Sequence, residues 1–235
     1  MRKLTLIVPL LLAACASLDA PMPVQEERSP VPENINAPFL DEDLNPEDWQ
    51  NRWEVESREI CAQRAAVVGS LDLQPGERIV DVGAGTGLFT APFSEAVGPD
   101  GRVLAADISP AFVEHLRTRV AEAGLANVRP YQSLEHSVEL PKASVDVAFV
   151  CDTYHHFEYH QDMLASLQRA LKPGGRLVIV DFERIPDVSR EWILGHVRAG
   201  KAEVRAEVEA AGFRFVEEVT IPGFHENYFL RFERP

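Results

Sequence analysis

Two short stretches of this chain concentrate residues able to do chemistry. The first reads Val80-Asp81-Val82-Gly83-Ala84-Gly85-Thr86-Gly87. Glycines at alternate positions let a chain turn tightly and let a ligand press against the backbone, and a helix opening just after them offers its free N–H groups. An acid, Asp107, follows about 20 residues later at the end of a second apolar run, where a carboxylate accepts both hydrogen bonds of a ribose diol. The second stretch is Cys151-Asp152-Thr153-Tyr154-His155-His156-Phe157-Glu158. An imidazole ordinarily titrates near 6.5, so His155 or His156 could take a proton as a general base near neutrality. The competing reading is that one histidine caps a helix and the other packs.

The elements that must hold these stretches are legible from hydrophobic pattern. Short apolar runs at 79–82, 103–106, 145–151 and 177–180 read as strands buried on both faces. Helices separate them. Ser109-Pro110 opens one that ends at Gly124, and another spans 161–171 and stops at Lys172-Pro173-Gly174-Gly175. Such alternation predicts a parallel sheet covered by helices on both sides. Stretches 213–221 and 228–232 are joined by a short Pro-Gly loop with no room for a crossover helix, so they pair antiparallel. Ligands in these sheets sit at the carboxyl ends of the strands, where both stretches fall.

Asp81-x-Gly83-x-Gly85-x-Gly87 differs from the G-x-G-x-x-G of dinucleotide binders, which disfavours a nicotinamide-dependent oxidoreductase. Together with Asp107 and with Leu171-Lys172-Pro173-Gly174-Gly175 before a strand, it resembles the class I S-adenosylmethionine-dependent methyltransferases, over residues 71–232. The resemblance implies a Rossmann-like α/β fold, a seven-stranded mostly parallel sheet of order 3-2-1-4-5-7-6, with S-adenosylmethionine as cofactor. It further implies that Gly83, Ala84, Gly85 and Gly87 cradle the methionine part of the cofactor, that Asp81 reaches its ammonium group, and that Asp107 takes the ribose. Ile108, Ser133 and Asp152 complete the implied cofactor set. The family often places an Asp against the adenine amino group, where this chain has Leu134; Ser133, Glu135 or a backbone carbonyl is left to substitute.

On the same resemblance, the tip at 151–158 faces the methyl group and a small-molecule acceptor, with His155 and His156 as the catalytic candidates. A metal site built from His155, His156, Glu158 and His160 is disfavoured, because adjacent histidines on an extended chain point to opposite sides and no second ligand cluster is evident. An Mg²⁺ site on Asp152 and Asp181, as in catechol-type O-methyltransferases, is disfavoured by Phe182 standing where an Asn is wanted. Phe182, Glu183, Arg184, Trp192, His196 and Arg198 either line an acceptor pocket or cover the sheet edge. Trp53, Glu54 and Arg58 are read as a solvated helix face in preference to a lid. Tyr228 and Phe229 are expected in the strand core, and Cys61 and Cys151 as packed thiols.

The formal net charge of -14 repels a phosphate backbone, which excludes nucleic acid as an expected partner. Arg2 and Lys3, an apolar run at 4–12 and small residues up to Cys15 have the layout of a secretory signal, too short to span a membrane. Leu12-Ala13-Ala14-Cys15 resembles the lipobox of bacterial lipoproteins, which implies lipidation at Cys15 and a membrane surface as partner. Ala16 after it favours the outer membrane, facing the periplasm; initiation at Met22 would instead leave the chain cytoplasmic. The expected organisation is a signal segment over 1–18, a Pro-rich acidic tether over 19–45 and the methyltransferase domain over 46–235, opened by Asn45-Pro46 and an apolar stripe running to residue 71. The reading is an envelope-anchored methyltransferase of a small molecule; the alternative is a non-catalytic lipoprotein that keeps the fold as a binding or scaffold module. Acceptor and oligomeric state are not specified by the sequence.

Overall fold

The computed structural model describes residues 32 and 34–235. The signal segment, Cys15 and most of the tether lie outside the described residues. Four helices come first, α1 (Ala37–Leu40), α2 (Pro46–Trp53), α3 (Glu59–Ala62) and α4 (Arg64–Ser70). Strands and helices then alternate as β1 (Arg78–Val82), α5 (Thr90–Val97), β2 (Arg102–Asp107), α6 (Pro110–Glu122), β3 (Val128–Gln132) and β4 (Val145–Cys151). After a 3-10 turn over Tyr154–His156 come α7 (His160–Ala170), β5 (Leu171–Phe182), α8 (Glu191–His196), α9 (Lys201–Ala210), β6 (Arg214–Glu218) and β7 (Asn227–Glu233). One seven-stranded sheet has the order β3-β2-β1-β4-β5-β7-β6, with β7 antiparallel to both β5 and β6. This is the Rossmann-like class I methyltransferase fold that the motifs imply.

Alternation along the central strands divides the core between two faces. Val80, Val82, Ala148, Val150, Leu177 and Ile179 face one side with Met163, Leu164 and Leu167 of α7 and Val204 and Val208 of α9. Ile79, Val147, Phe149, Val178 and Val180 face the other, against Val67 of α4 and Phe93 and Val97 of α5. Tyr228 and Phe229 are strand core, 3% and 0% exposed. Local grammar sets two helix starts: the Asn45 side chain accepts the Glu47 N–H, and the Ser109 hydroxyl accepts the Phe112 N–H.

Two expectations near the start need correction. The apolar stripe from 46 to 71 is not one helix but three, α2, α3 and α4, so Trp53 and Arg58 turn toward the sheet instead of following a single axis. Nor does packing begin at 46. Ile35 and Asn36 are buried at 7% and 4% exposure, Asn36 donates to the His156 carbonyl oxygen, and the Phe39 ring lies 5.1 Å from Trp49 and 5.2 Å from His156. The Pro-rich composition that reads as tether conceals apolar anchors within it. Among the described residues no helix is long and apolar enough to cross a membrane.

Candidate functional site

At the carboxyl end of β1 the chain must reverse into α5, and it does so through Gly83 at φ +74° and Gly85 at φ +52°, a left-handed region that is costly for side chains. Space demands glycine as well. A Cβ at Gly83 would meet the Thr153 side chain at 2.4 Å, and one at Gly85 would stand 3.1 Å from the Trp53 ring. The N–H groups of Gly83 and Ala84 both donate to the Ala106 carbonyl, tying the loop to β2. Asp107 knits the same junction: Oδ2 accepts the Gly85 N–H at 2.8 Å and Oδ1 the Ser109 N–H at 2.9 Å. Each oxygen keeps a further lone pair for a ligand.

These groups form one end of a cavity of about 360 Å³. Asp81, Gly83, Ala84, Gly85, Asp107, Ile108, Ser133 and Asp152 all line it, as the sequence reading requires of cofactor contacts. Gly87 does not. It turns inward, where an added Cβ would meet Leu116 at 2.8 Å, so its glycine serves helix packing against the loop and not a ligand. At the adenine position, Leu134 is 45% exposed and pairs with Ser137, whereas buried Ser133 and half-buried Glu135 line the cavity. Leu134 is thus not among the cavity-lining residues, whereas its two neighbours are.

The site is electrostatically loaded. Burial, then the nearby Asp107, pushes the Asp81 carboxyl up to about 7. Burial likewise raises Asp107, to about 6, against the pull of its backbone N–H donors. Asp152 is raised to about 6 by burial despite the Arg58 guanidinium, which is paired with its Oδ2. Its Oδ1 is buried without a hydrogen-bond partner and lines the cavity. A cation beside these buried carboxylates would stabilise their ionised form, and the glycine cradle accepts a ligand against bare backbone. These residues fit S-adenosylmethionine, whose ammonium and ribose diol match Asp81 and Asp107.

Contrary to the solvated-face expectation, Trp53, Glu54 and Arg58 close this end. Trp53 stacks toward Phe112 at 5.5 Å and covers Gly85, while Glu54 pairs with Arg119 at 2.5 Å; Arg119 also donates to the Thr86 carbonyl. Sequence alone could not show it, since the alternation of polar and aromatic residues in α2 also suits a surface helix.

The other end of the cavity is lined by His155, His156, His196, Phe39, Phe182 and Trp192. His155, 3% exposed, holds Asp181 twice: its N–H donates to Oδ2 at 3.0 Å and its Nδ1 lies 2.7 Å from Oδ1. Asp181 also accepts the Phe182 N–H, and Asp152 is paired with Arg58 through Oδ2. Burial opposes charge on His155, and Asp181 outweighs it to raise its pKa, whereas burial and the neighbouring imidazoles lower His156 and His196.

The two adjacent histidines do not splay apart. They sit on the 3-10 turn and not on extended chain, their ring centroids 4.3 Å apart, and each lies 5.2 Å from the His196 ring of α8. Glu158 and His160 are not part of this group: Glu158 accepts from Asn36, and His160 faces Glu207 at 3.9 Å. Of the residues after β5, Trp192 and His196 line the cavity, while Arg198 turns back onto both oxygens of Glu207 and Glu183 pairs with Lys201. Cys61 and Cys151 are free thiols; Cys61 is buried and Cys151 is half-buried at the cavity wall. Ile35, Asn36, Phe39, Trp49 and Phe112 also line the cavity without having been singled out from sequence as site residues.

Comparison with known proteins agrees with this geometry. Residues 79–175 match the profile of a methyltransferase domain. A 113-residue stretch is 34% identical to the ubiquinone/menaquinone biosynthesis C-methyltransferase UbiE of Ectopseudomonas mendocina, covering 48% of this chain and 44% of that protein. The corresponding protein of Stutzerimonas stutzeri is 36% identical over 110 residues, 46% of this chain and 43% of its own length. The alignments therefore span under half of these relatives. Among solved structures, an S-adenosylmethionine-dependent methyltransferase from Aquifex aeolicus is 25% identical with a TM-score of 0.71, covering 82% of this chain and all of the other. A geranyl diphosphate methyltransferase shares the fold at 17% identity and a TM-score of 0.63, over 74% of this chain and 77% of its own. With the sheet order, these matches show the class I methyltransferase fold, with a methyltransferase domain matched over residues 79–175.

Proposed function

We propose that the protein methylates a small, largely apolar acceptor bearing a hydroxyl group. One observation carries this reading: a single cavity is lined both by the glycine loop with its carboxylates and by imidazoles with aromatic walls. The named UbiE relatives are C-methyltransferases of ubiquinone/menaquinone biosynthesis, and a hydroxylated ring whose carbon attacks the methyl group suits these walls.

When bound, S-adenosylmethionine supplies a methyl carbon already activated by its sulfonium. The protein has to align the acceptor at about 3 Å and exclude water. Asp81 and the bare backbone of the glycine loop hold the methionine end, Asp107 the ribose, and Trp53, Ile108 and Phe112 flank the adenosine side. Phe39, Phe182 and Trp192 wall the acceptor end. Asp181 fixes the His155 ring through Nδ1, with the His156 and His196 rings beside it.

The chain is also placed at a lipid surface through Cys15, supported by the basic start, the apolar run at 4–12 and Leu12-Ala13-Ala14-Cys15. Membrane fractionation of wild type and Cys15→Ser checks this: the wild type should pellet with membranes and the variant should not.

Isothermal titration of the full chain with S-adenosylmethionine and its demethylated product tests the enzymatic reading. Micromolar binding, weakened at least tenfold by Asp107→Ala, is expected. No binding by a folded chain would leave a scaffold that has kept only the architecture.

A further inference from the structure

We propose that His155, His156 and His196 form a binding site for one divalent transition-metal ion of the zinc type, with its open coordination position facing the acceptor end of the cavity. One ring nitrogen from each of the three residues lies within 4.8 Å of those of the other two, and all three residues line the cavity. Three histidines with a vacant fourth position are the donor set of a catalytic zinc site, whereas closed structural sites use four protein ligands.

The surroundings are those that hold a metal ligand in place. His155 Nδ1 is committed to Asp181 at 2.7 Å, so Nε2 remains for the ion. That carboxylate–imidazole arrangement fixes the ring and its tautomer, as the supporting shell of a metal site does. Asp181 is itself held by the N–H groups of His155 and Phe182. His156 Nδ1 is buried with no hydrogen-bond partner, a costly state for a polar atom and one that a bound ion relieves. Phe39 packs edge-on against His156 and Trp192 stacks on His196, 4.8 Å between centroids, so apolar rings limit water on two sides.

Zinc–nitrogen bonds of about 2.0–2.1 Å place tetrahedral ligand nitrogens about 3.4 Å apart. The triangle has to tighten by up to about 1.4 Å, and the geometry points to His196 as the side chain that moves. It ends α8, a six-residue helix that follows a stretch in which Ile185 and Val188 are 43% and 75% exposed. The other two ligands are set in the 3-10 turn that follows the central strand β4.

For function, the inference rests on the methyl-transfer reading only in naming the fourth ligand, the acceptor's hydroxyl oxygen. Coordination would hold that oxygen as the oxyanion, its proton released to solvent, and so set which neighbouring atom faces the methyl donor.

The test uses the full chain, stripped with chelator and titrated with Co²⁺ followed by ligand-field absorption, and in parallel with S-adenosylmethionine by calorimetry. One equivalent of Co²⁺ should bind with tetrahedral-type bands. His196→Gln and His156→Gln should each weaken it at least a hundredfold, and Asp181→Asn by about 10–100-fold, as expected for a partner that orients a ligand. His136→Gln, outside the cluster, should change nothing. Cofactor affinity should persist in His196→Gln, which shows that the variant is folded. Co²⁺ binding that His196→Gln leaves intact, or no Co²⁺ binding by a chain that binds cofactor, overturns the metal site alone. Cofactor binding absent while Co²⁺ binds as described upholds the metal site and sinks the methyl-transfer reading.

Discussion

The two ends of the cavity are built by different rules. The cofactor end comes from one continuous run, β1 into the Gly83–Gly85 turn, closed by Asp107 at the next strand's tip. Backbone hydrogen bonds hold it, and its geometry follows from local conformational limits. The acceptor end joins Ile35 to Phe39, the 3-10 turn after β4, and α8 after β5, elements far apart in the chain that meet through packed rings. A backbone-built end tolerates little change. A side-chain-built end can be respecified by exchanging loops and helices around a constant sheet.

The contrast can be broken most sharply at Gly83. Gly83→Ala forces a Cβ into a positive-φ position 2.4 Å from Thr153. It should cost about 3 kcal/mol of stability, read by thermal unfolding, and weaken S-adenosylmethionine at least a hundredfold by calorimetry. Gly87→Ala should destabilise through Leu116 with a smaller effect on affinity, since Gly87 does not line the cavity.

Arg58→Ala probes the seam between the ends, where the guanidinium pairs with Asp152. Asp152 already titrates at about 6, above the ordinary carboxylate value, and without Arg58 it rises further. A folded-state pKa raised above the unfolded one means stability present at low pH and lost as pH rises through the folded value. The variant should therefore lose about 1–2 kcal/mol at pH 8, discounted for partial exposure of both groups, and much less at pH 5. Denaturant melts at the two pH values read the difference.

A smaller effect concerns Asp81, raised to about 7. If its carboxylate receives the cofactor's ammonium, affinity should fall as pH drops below 7, by roughly tenfold per unit at most, and Asp81→Asn should flatten the profile between pH 6 and 7.5. An unchanged slope in the variant would assign the dependence to Asp107, which titrates at about 6. Smallest of all is Leu134→Ala, which should shift affinity less than twofold and stability by about 0.5 kcal/mol or less, because that residue is exposed and not among those lining the cavity. A larger loss would return Leu134 to the adenine position.

What the sequence by itself determined was the sheet and the cofactor end. Val and Ile runs specify doubly buried strands, Gly83 and Gly85 specify a turn that few other residues can make, and Asp107 falls at a strand tip at a fixed spacing. All of these follow from short-range sterics and periodicity. Composition could mislead even there: Gly87 belongs to the motif yet contacts Leu116, and the Pro-rich stretch before 46 carries Ile35, Asn36 and Phe39 into the cavity wall. Only the tertiary structure decided that α2 covers the loop, that His155 and His156 lie on a 3-10 turn with their rings together, and that His196 joins them from 40 residues away. Nothing local relates an imidazole on one loop to another on a distant helix. Their meeting is set by how α8 packs over the end of β5, a long-range outcome of burial that no spacing in the chain encodes.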